Sequence, residues 1–154
     1  MNWLLSMLSN PYLITPIASW FAAQVIKTFI HAIVNRKFDI TRMTGDGGMP
    51  SGHSATVTSL AVIAALLCGF GSFQFAVCAI LAIIVCHDAM GVRLETGKQA
   101  EVINDLIEII DVLTTEELPE VKLKELVGHT PIQVIAGIIV GICNAFFMYY
   151  TFYS

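Results

Sequence analysis

Charge is what this sequence is short of. Only 13% of its 154 residues are Asp, Glu, Lys or Arg, while 56% are hydrophobic. Soluble domains usually carry about 25% charged residues. So much apolar surface excludes a disordered chain. One small water-soluble core could not hide that many apolar side chains. The net charge of −4 is mild, and the basic stripe that a nucleic-acid partner requires is missing. The cysteines Cys68, Cys78, Cys86 and Cys143 lack CxxC spacing and read as small apolar filler. The first residues lack the basic region and small-residue cleavage site of a removable signal. No internal repeat is present. The length suits a single membrane-embedded domain spanning residues 1–154.

The absences are local. Residues 1–26, 47–87 and 126–154 contain no Asp, Glu, Lys or Arg. A bilayer crossing takes about 20 apolar residues. The first and last stretches hold one crossing each, and the middle one holds two if it turns at Cys68-Gly69-Phe70-Gly71-Ser72. The expected fold is therefore an all-α integral membrane bundle of about four transmembrane helices, with amphipathic interfacial helices besides. The spans expected are Tyr12–Val34, His53–Gly69, Phe73–His87 and Pro131–Thr151, the middle two short enough to need little tilt or a thin bilayer. Trp3, Leu4, Leu5, Met7 and Leu8 suit a short interfacial helix.

Four spans put both termini and the 68–72 turn on one side. The other side holds the 35–52 loop and the 88–130 segment. Every Lys, Arg, Asp, Glu and His maps to that second side or to a span end pointing at it. The positive-inside rule places this face in the cytoplasm of a multi-pass cell-membrane protein.

On that face, Thr41-Arg42-Met43-Thr44-Gly45-Asp46-Gly47-Gly48-Met49-Pro50-Ser51-Gly52-His53 breaks regular structure and leads into a helix capped by Ser51. Helix-start N–H groups, close-approach glycines and Arg42 make an anion site. His53, in the first helical turn, is placed to donate a proton to a leaving oxygen. Further on, Thr130 and Pro131 are a natural N-cap and first helical residue, with His129 just outside. Two histidines at helix mouths, accompanied by cations, suit phosphate transfer: one attacks phosphorus and the other protonates the leaving group. Lys27 lies inside an apolar span, where a cation calls for a functional explanation unless it snorkels to the interface. It shares a helical face with Gln24 and His31.

These residues carry a resemblance. Pro50-Ser51-Gly52-His53 resembles the second signature of the type-2 phosphatidic acid phosphatase and vanadium haloperoxidase superfamily, and Gly128-His129-Thr130-Pro131 its third. Gly47-Gly48-Met49-Pro50-Ser51, Asp88-Ala89-Met90-Gly91-Val92-Arg93 and Gly128-His129-Thr130-Pro131 together resemble, in order, the divergent branch of small membrane proteins. The resemblance implies His129 as nucleophile and His53 as general acid. It implies phosphate binding by Ser51 and Gly52 through side chain and backbone. The family Asp four residues after the nucleophile is Gln133 here, which can hold the ring but cannot stabilise an imidazolium by charge. The family Arg before that His is matched best by Lys124, a point charge rather than a fork. Lys27 matches the Lys of the first signature, with Arg36 or Arg42 as its Arg.

Asp88, Gly91, Arg93, Lys98 and Gln99 lead into an amphipathic helix with Ile103, Leu106, Ile107 and Ile110 as its stripe. Asp88 either caps this helix, or supplies the carboxylate missing at position 133, or ligates a cation with His87. Arg93 and Lys98 either form surface pairs or support the site. Thr114-Thr115-Glu116-Glu117 reads as a capping box. Gly137-Ile138-Ile139-Val140-Gly141 permits close helix packing within the chain or across a homodimer.

The function expected is a membrane lipid-phosphate phosphatase that hydrolyses a phosphomonoester or a pyrophosphate through phosphohistidine. Its substrates would be phosphatidylglycerol phosphate, phosphatidic acid or polyprenyl phosphates. Lys27, Arg42, Lys124 and Arg93 would hold the phosphate, with Arg36 in reserve. Neither metal nor other cofactor is required. The partners expected are the bilayer and a phosphorylated lipid. The alternative is a non-catalytic phospholipid-binding or lipid-translocating protein.

Overall fold

The computed structural model describes residues 2–36, 47–113, 123 and 128–154, and all regular structure among them is helical. The order is α1 (Asn2–Leu8), α2 (Pro11–Asn35), α3 (Gly52–Cys68), α4 (Phe73–Met90), α5 (Val92–Leu113) and α6 (Pro131–Met148), closed by a π-helical turn over Tyr149–Tyr153. Three helical stretches are long and apolar enough to cross a membrane, beginning at Pro11, Phe73 and Pro131. The fourth expected span, α3, is apolar but has only 17 residues, roughly 25 Å at 1.5 Å per residue. The short interfacial helix expected near the N-terminus is α1, whose Trp3, Leu5 and Leu8 are exposed.

Caps set the starts of these helices. Asn10 accepts from the Tyr12 N–H, and Pro11 occupies the first turn of α2, where its missing donor costs nothing. Ser51 caps α3 by accepting from the Ser54 N–H at 3.3 Å. Ser72 caps α4 through the Phe75 N–H at 3.1 Å. Thr130 and Pro131 open α6 as the sequence predicts.

Helix α3 is the centre of the bundle, packed against α2, α4 and α6. Its buried side chains are mostly small, namely Ser54, Ala55, Ser59, Ala61, Ala64 and Ala65, with Val57 and Ile63 the larger ones. Small residues let helix backbones approach, which drives packing where lipid removes the hydrophobic effect between helices. Helix α6 answers with Gly137 and Gly141. A Cβ there would lie 2.4 Å from the Ser51 carbonyl oxygen and 2.5 Å from that of Ala55. The glycine stripe therefore serves the contact inside the chain.

Helix α6 is also tied to α2 by polar groups. Asn144 donates to Ser19 Oγ at 2.7 Å and to the Thr15 carbonyl at 3.3 Å. In contrast, α4 buries only Ala89 and leaves Phe73, Val77, Ile80, Ile83 and Ile84 exposed, as a lipid-facing helix does. Helix α5 packs against the end of α4.

One expectation is corrected by the helix boundaries. Asp88 does not cap the amphipathic helix. It lies in the last turn of α4, which runs on to Met90, and α5 begins only at Val92. The expected capping box at 114–117 lies outside the described residues.

Candidate active site

The start of α3, the start of α6, the end of α4 and the second half of α2 meet at one place. Ser51 just before α3 donates its N–H to the carbonyl of Gln133 in α6 at 2.9 Å. The His129 N–H donates to the carbonyl of Ala89 in α4 at 3.0 Å. Lys27 of α2 lies against Gly48, its Cγ and Cδ 3.4 Å from where a Cβ would stand. Trp20 and Gln24 lie against Gly52, the first residue of α3. From Gln24, α2 continues 11 residues to Asn35, about 16 Å of further helix. The meeting place is therefore recessed below the end of α2.

His129 is 2% exposed. Its Nδ1 lies 3.2 Å from Gln133 Oε1, which also accepts the Thr130 N–H at 3.2 Å. An amide oxygen can only accept, so this contact puts the ring proton on Nδ1 and leaves the lone pair on Nε2. Gln133 thus holds the ring, the first turn of α6 and, through its carbonyl, the approach to α3. The His53 ring sits edge-on to that of His129, with centroids 6.0 Å apart and planes at 61°. The structure thus brings together two histidines distant in sequence.

The other expected residues divide. Lys27 is only 4% exposed, so it does not snorkel into water. Gly52 stands at the seat as the first residue of α3, where its N–H has no partner within the helix. Ser51 is fully buried and committed within the protein: its N–H binds Gln133, and its Oγ accepts from Ser54 Oγ at 3.0 Å as well as from the Ser54 N–H. Its visible task is to fix α3 against α6. Asp88 precedes the carbonyl that anchors His129. Lys98 is paired with Glu95 at 2.7 Å on an exposed surface. Arg36 is exposed just past α2, with a positive φ of 50°. Arg42, Lys124 and the side chain of Arg93 lie outside the described residues. Among the described residues no group of three or more His, Cys, Asp or Glu could hold a metal ion.

Sequence reasoning noted Gln24 on the Lys27 face but gave it no task. It also missed the Ala89 carbonyl as the anchor of His129, which backbone contact alone could reveal.

The chain is similar to known proteins over most of its length. The family model described as the Divergent PAP2 family matches residues 8–144. The chain belongs to the divergent PAP2 family. The match runs from Leu8 at the end of α1, past both histidines, to Asn144 within α6. This divergent PAP2 protein is also 43% identical over 157 residues to the "Uncharacterized membrane protein YuiD" of Bacillus subtilis strain 168, covering 96% of this chain and 99% of that protein. It is a PAP2-related membrane protein with several apolar helices. No solved structure matches it.

Proposed function

We propose that this protein hydrolyses the terminal phosphate of a membrane lipid. The observation that supports this best is the pair His129 and His53. One ring is buried with its proton directed to Gln133, and the other stands edge-on at 6.0 Å in the first turn of α3. In this reading His129 Nε2 attacks phosphorus, and the bond from phosphorus to the lipid oxygen breaks. Protonated His53 gives its proton to that oxygen. Water then attacks the phosphohistidine, His53 takes the water's proton, and inorganic phosphate leaves with His129 restored.

Lys27 and the Gly52 N–H neutralise the phosphate, joined in this reading by Arg42, Lys124 and Arg93. Gln133 orients the nucleophile without lending charge, which favours a slow enzyme over a fast one. The lipids that fit are phosphatidylglycerol phosphate, phosphatidic acid and polyprenyl phosphates. The distribution of Lys and Arg favours a cell-membrane protein with its site facing the cytoplasm.

The test is phosphate release by purified protein from those lipids, beside His129→Ala and His53→Ala. Release that vanishes in His129→Ala supports the reading. Lipid-phosphate binding without release, from every lipid tried, would replace it with the non-catalytic one.

A further inference from the structure

Gln24 is the polar group at this mouth that the mechanism leaves unused. It is 6% exposed. Its Oε1 is buried and has no hydrogen-bond partner among the described residues. Its amide nitrogen is 3.8 Å from the Cβ position of Gly52, so the side chain is aimed at the first turn of α3. A buried acceptor without a donor is costly and rare. A donor brought by a ligand would remove the cost.

The chemistry of the seat says which donor. The Gly52 N–H and the Lys27 ammonium can only donate, so they suit ionised phosphate oxygens. A phosphate that still carries one P–OH needs an acceptor as well, and the unpaired Oε1 is one. A phosphodiester has no such proton and would set its own lone pairs against that oxygen.

We propose that Gln24 is a further ligand-contacting residue, whose Oε1 accepts a hydrogen bond from the P–OH of a singly protonated terminal phosphate. It thereby makes the site selective for monoesters. The inference rests on the reading of the α3 mouth as a phosphate seat, and it deepens that reading. The selectivity has a clear use, because the bulk phospholipids of a bilayer are phosphodiesters. A site recessed in the bundle meets them in large excess and must refuse them.

The experiment uses the whole protein in detergent, with Trp3→Phe so that Trp20, which touches Gly52, is the only tryptophan. Inorganic phosphate, sulfate and dimethyl phosphate are titrated at about pH 6, where phosphate keeps a proton and the other two anions have none. Binding is read by Trp20 fluorescence and by the rise in thermal midpoint. Phosphate is expected to bind at least about tenfold tighter than either other ion. Gln24→Met, similar in size and without the acceptor, is expected to bring phosphate and sulfate within about threefold of each other.

Equal binding of all three ions by the unsubstituted Gln24 protein overturns the inference and needs no variant. So does a Gln24→Met protein that keeps the preference. If either result comes with lipid-phosphate hydrolysis intact, the phosphatase reading stands and only the role of Gln24 falls. Binding of no ion at all, with no hydrolysis, overturns both.

Discussion

Gln133 Oε1 lies 3.2 Å from Nδ1 of His129, in the position from which the wider superfamily offers a carboxylate. A neutral acceptor fixes which nitrogen carries the proton but adds no field to favour the charged ring. Replacing Gln133 by Glu keeps the length and adds that charge. An anion beside an imidazole favours its protonated form and raises its pKa. The nucleophile must be unprotonated, so the acidic limb of the rate profile is expected to move to higher pH. Measuring kcat/KM against pH for Gln133→Glu checks this. An acidic limb that stays put would show that His129 is not the nucleophile.

Gln133→Ala removes the acceptor from both His129 Nδ1 and the Thr130 N–H. The loss of a helix-start cap is expected to cost about 1 kcal/mol of stability. Freeing the ring is expected to lower kcat by roughly tenfold to a hundredfold with KM little changed. Thermal unfolding and steady-state rates on one lipid phosphate measure the two effects separately.

Gly137→Ala and Gly141→Ala both drive a methyl group into a backbone carbonyl of α3. Backbone cannot swing aside as a flexible side chain can. Each variant is expected to lose about 1–3 kcal/mol, as overpacked cores do. Their effects on activity should differ. Gly137 presses on Ser51, beside His53, whereas Gly141 presses on Ala55, one turn further from the mouth. Gly137→Ala should lose more activity than Gly141→Ala at comparable loss of stability.

Asn144→Leu removes the ties from α6 to Ser19 and Thr15, far along the bundle from the histidines. Hydrogen bonds between membrane helices average about 0.6 kcal/mol and reach about 1.7. A stability loss in that range is expected, with activity near that of the parent. A selective loss of activity would extend the site into the α2–α6 contact.

Lys27→Met tests the buried cation. Lys27 is 4% exposed, and an ammonium held there is costly unless it is paired or serves a ligand. The variant is expected to raise KM for a lipid phosphate at least about tenfold. Unchanged KM would mean that Lys27 serves the fold and not the ligand.

The sequence by itself determined the solvent and the kind of fold. Three long stretches without charge, two long enough for one crossing and the middle one for two, admit few folds except a membrane bundle, because a bilayer core tolerates neither free charge nor unpaired backbone. It also determined where helices start, since Asn10, Ser51, Ser72 and Thr130 cap their helices by local chemistry that no distant contact alters. It marked His53, His129 and Lys27, because ionisable groups near apolar spans stand out against their surroundings.

Tertiary structure decided the rest, for the reason that contacts across the chain have no local signature. Periodicity could not show whether Gly137 and Gly141 face a second copy or α3, and only the neighbouring carbonyls of Ser51 and Ala55 decide it. A helix cap is one of three readings that the sequence leaves open for Asp88, and α4 runs past it. The oxygen of Gln24, buried and without a partner among the described residues, lies on a side chain that α2 packs against Gly52 of α3. That packing brings the Lys27 stem against Gly48 and the ring of His53 edge-on to that of His129.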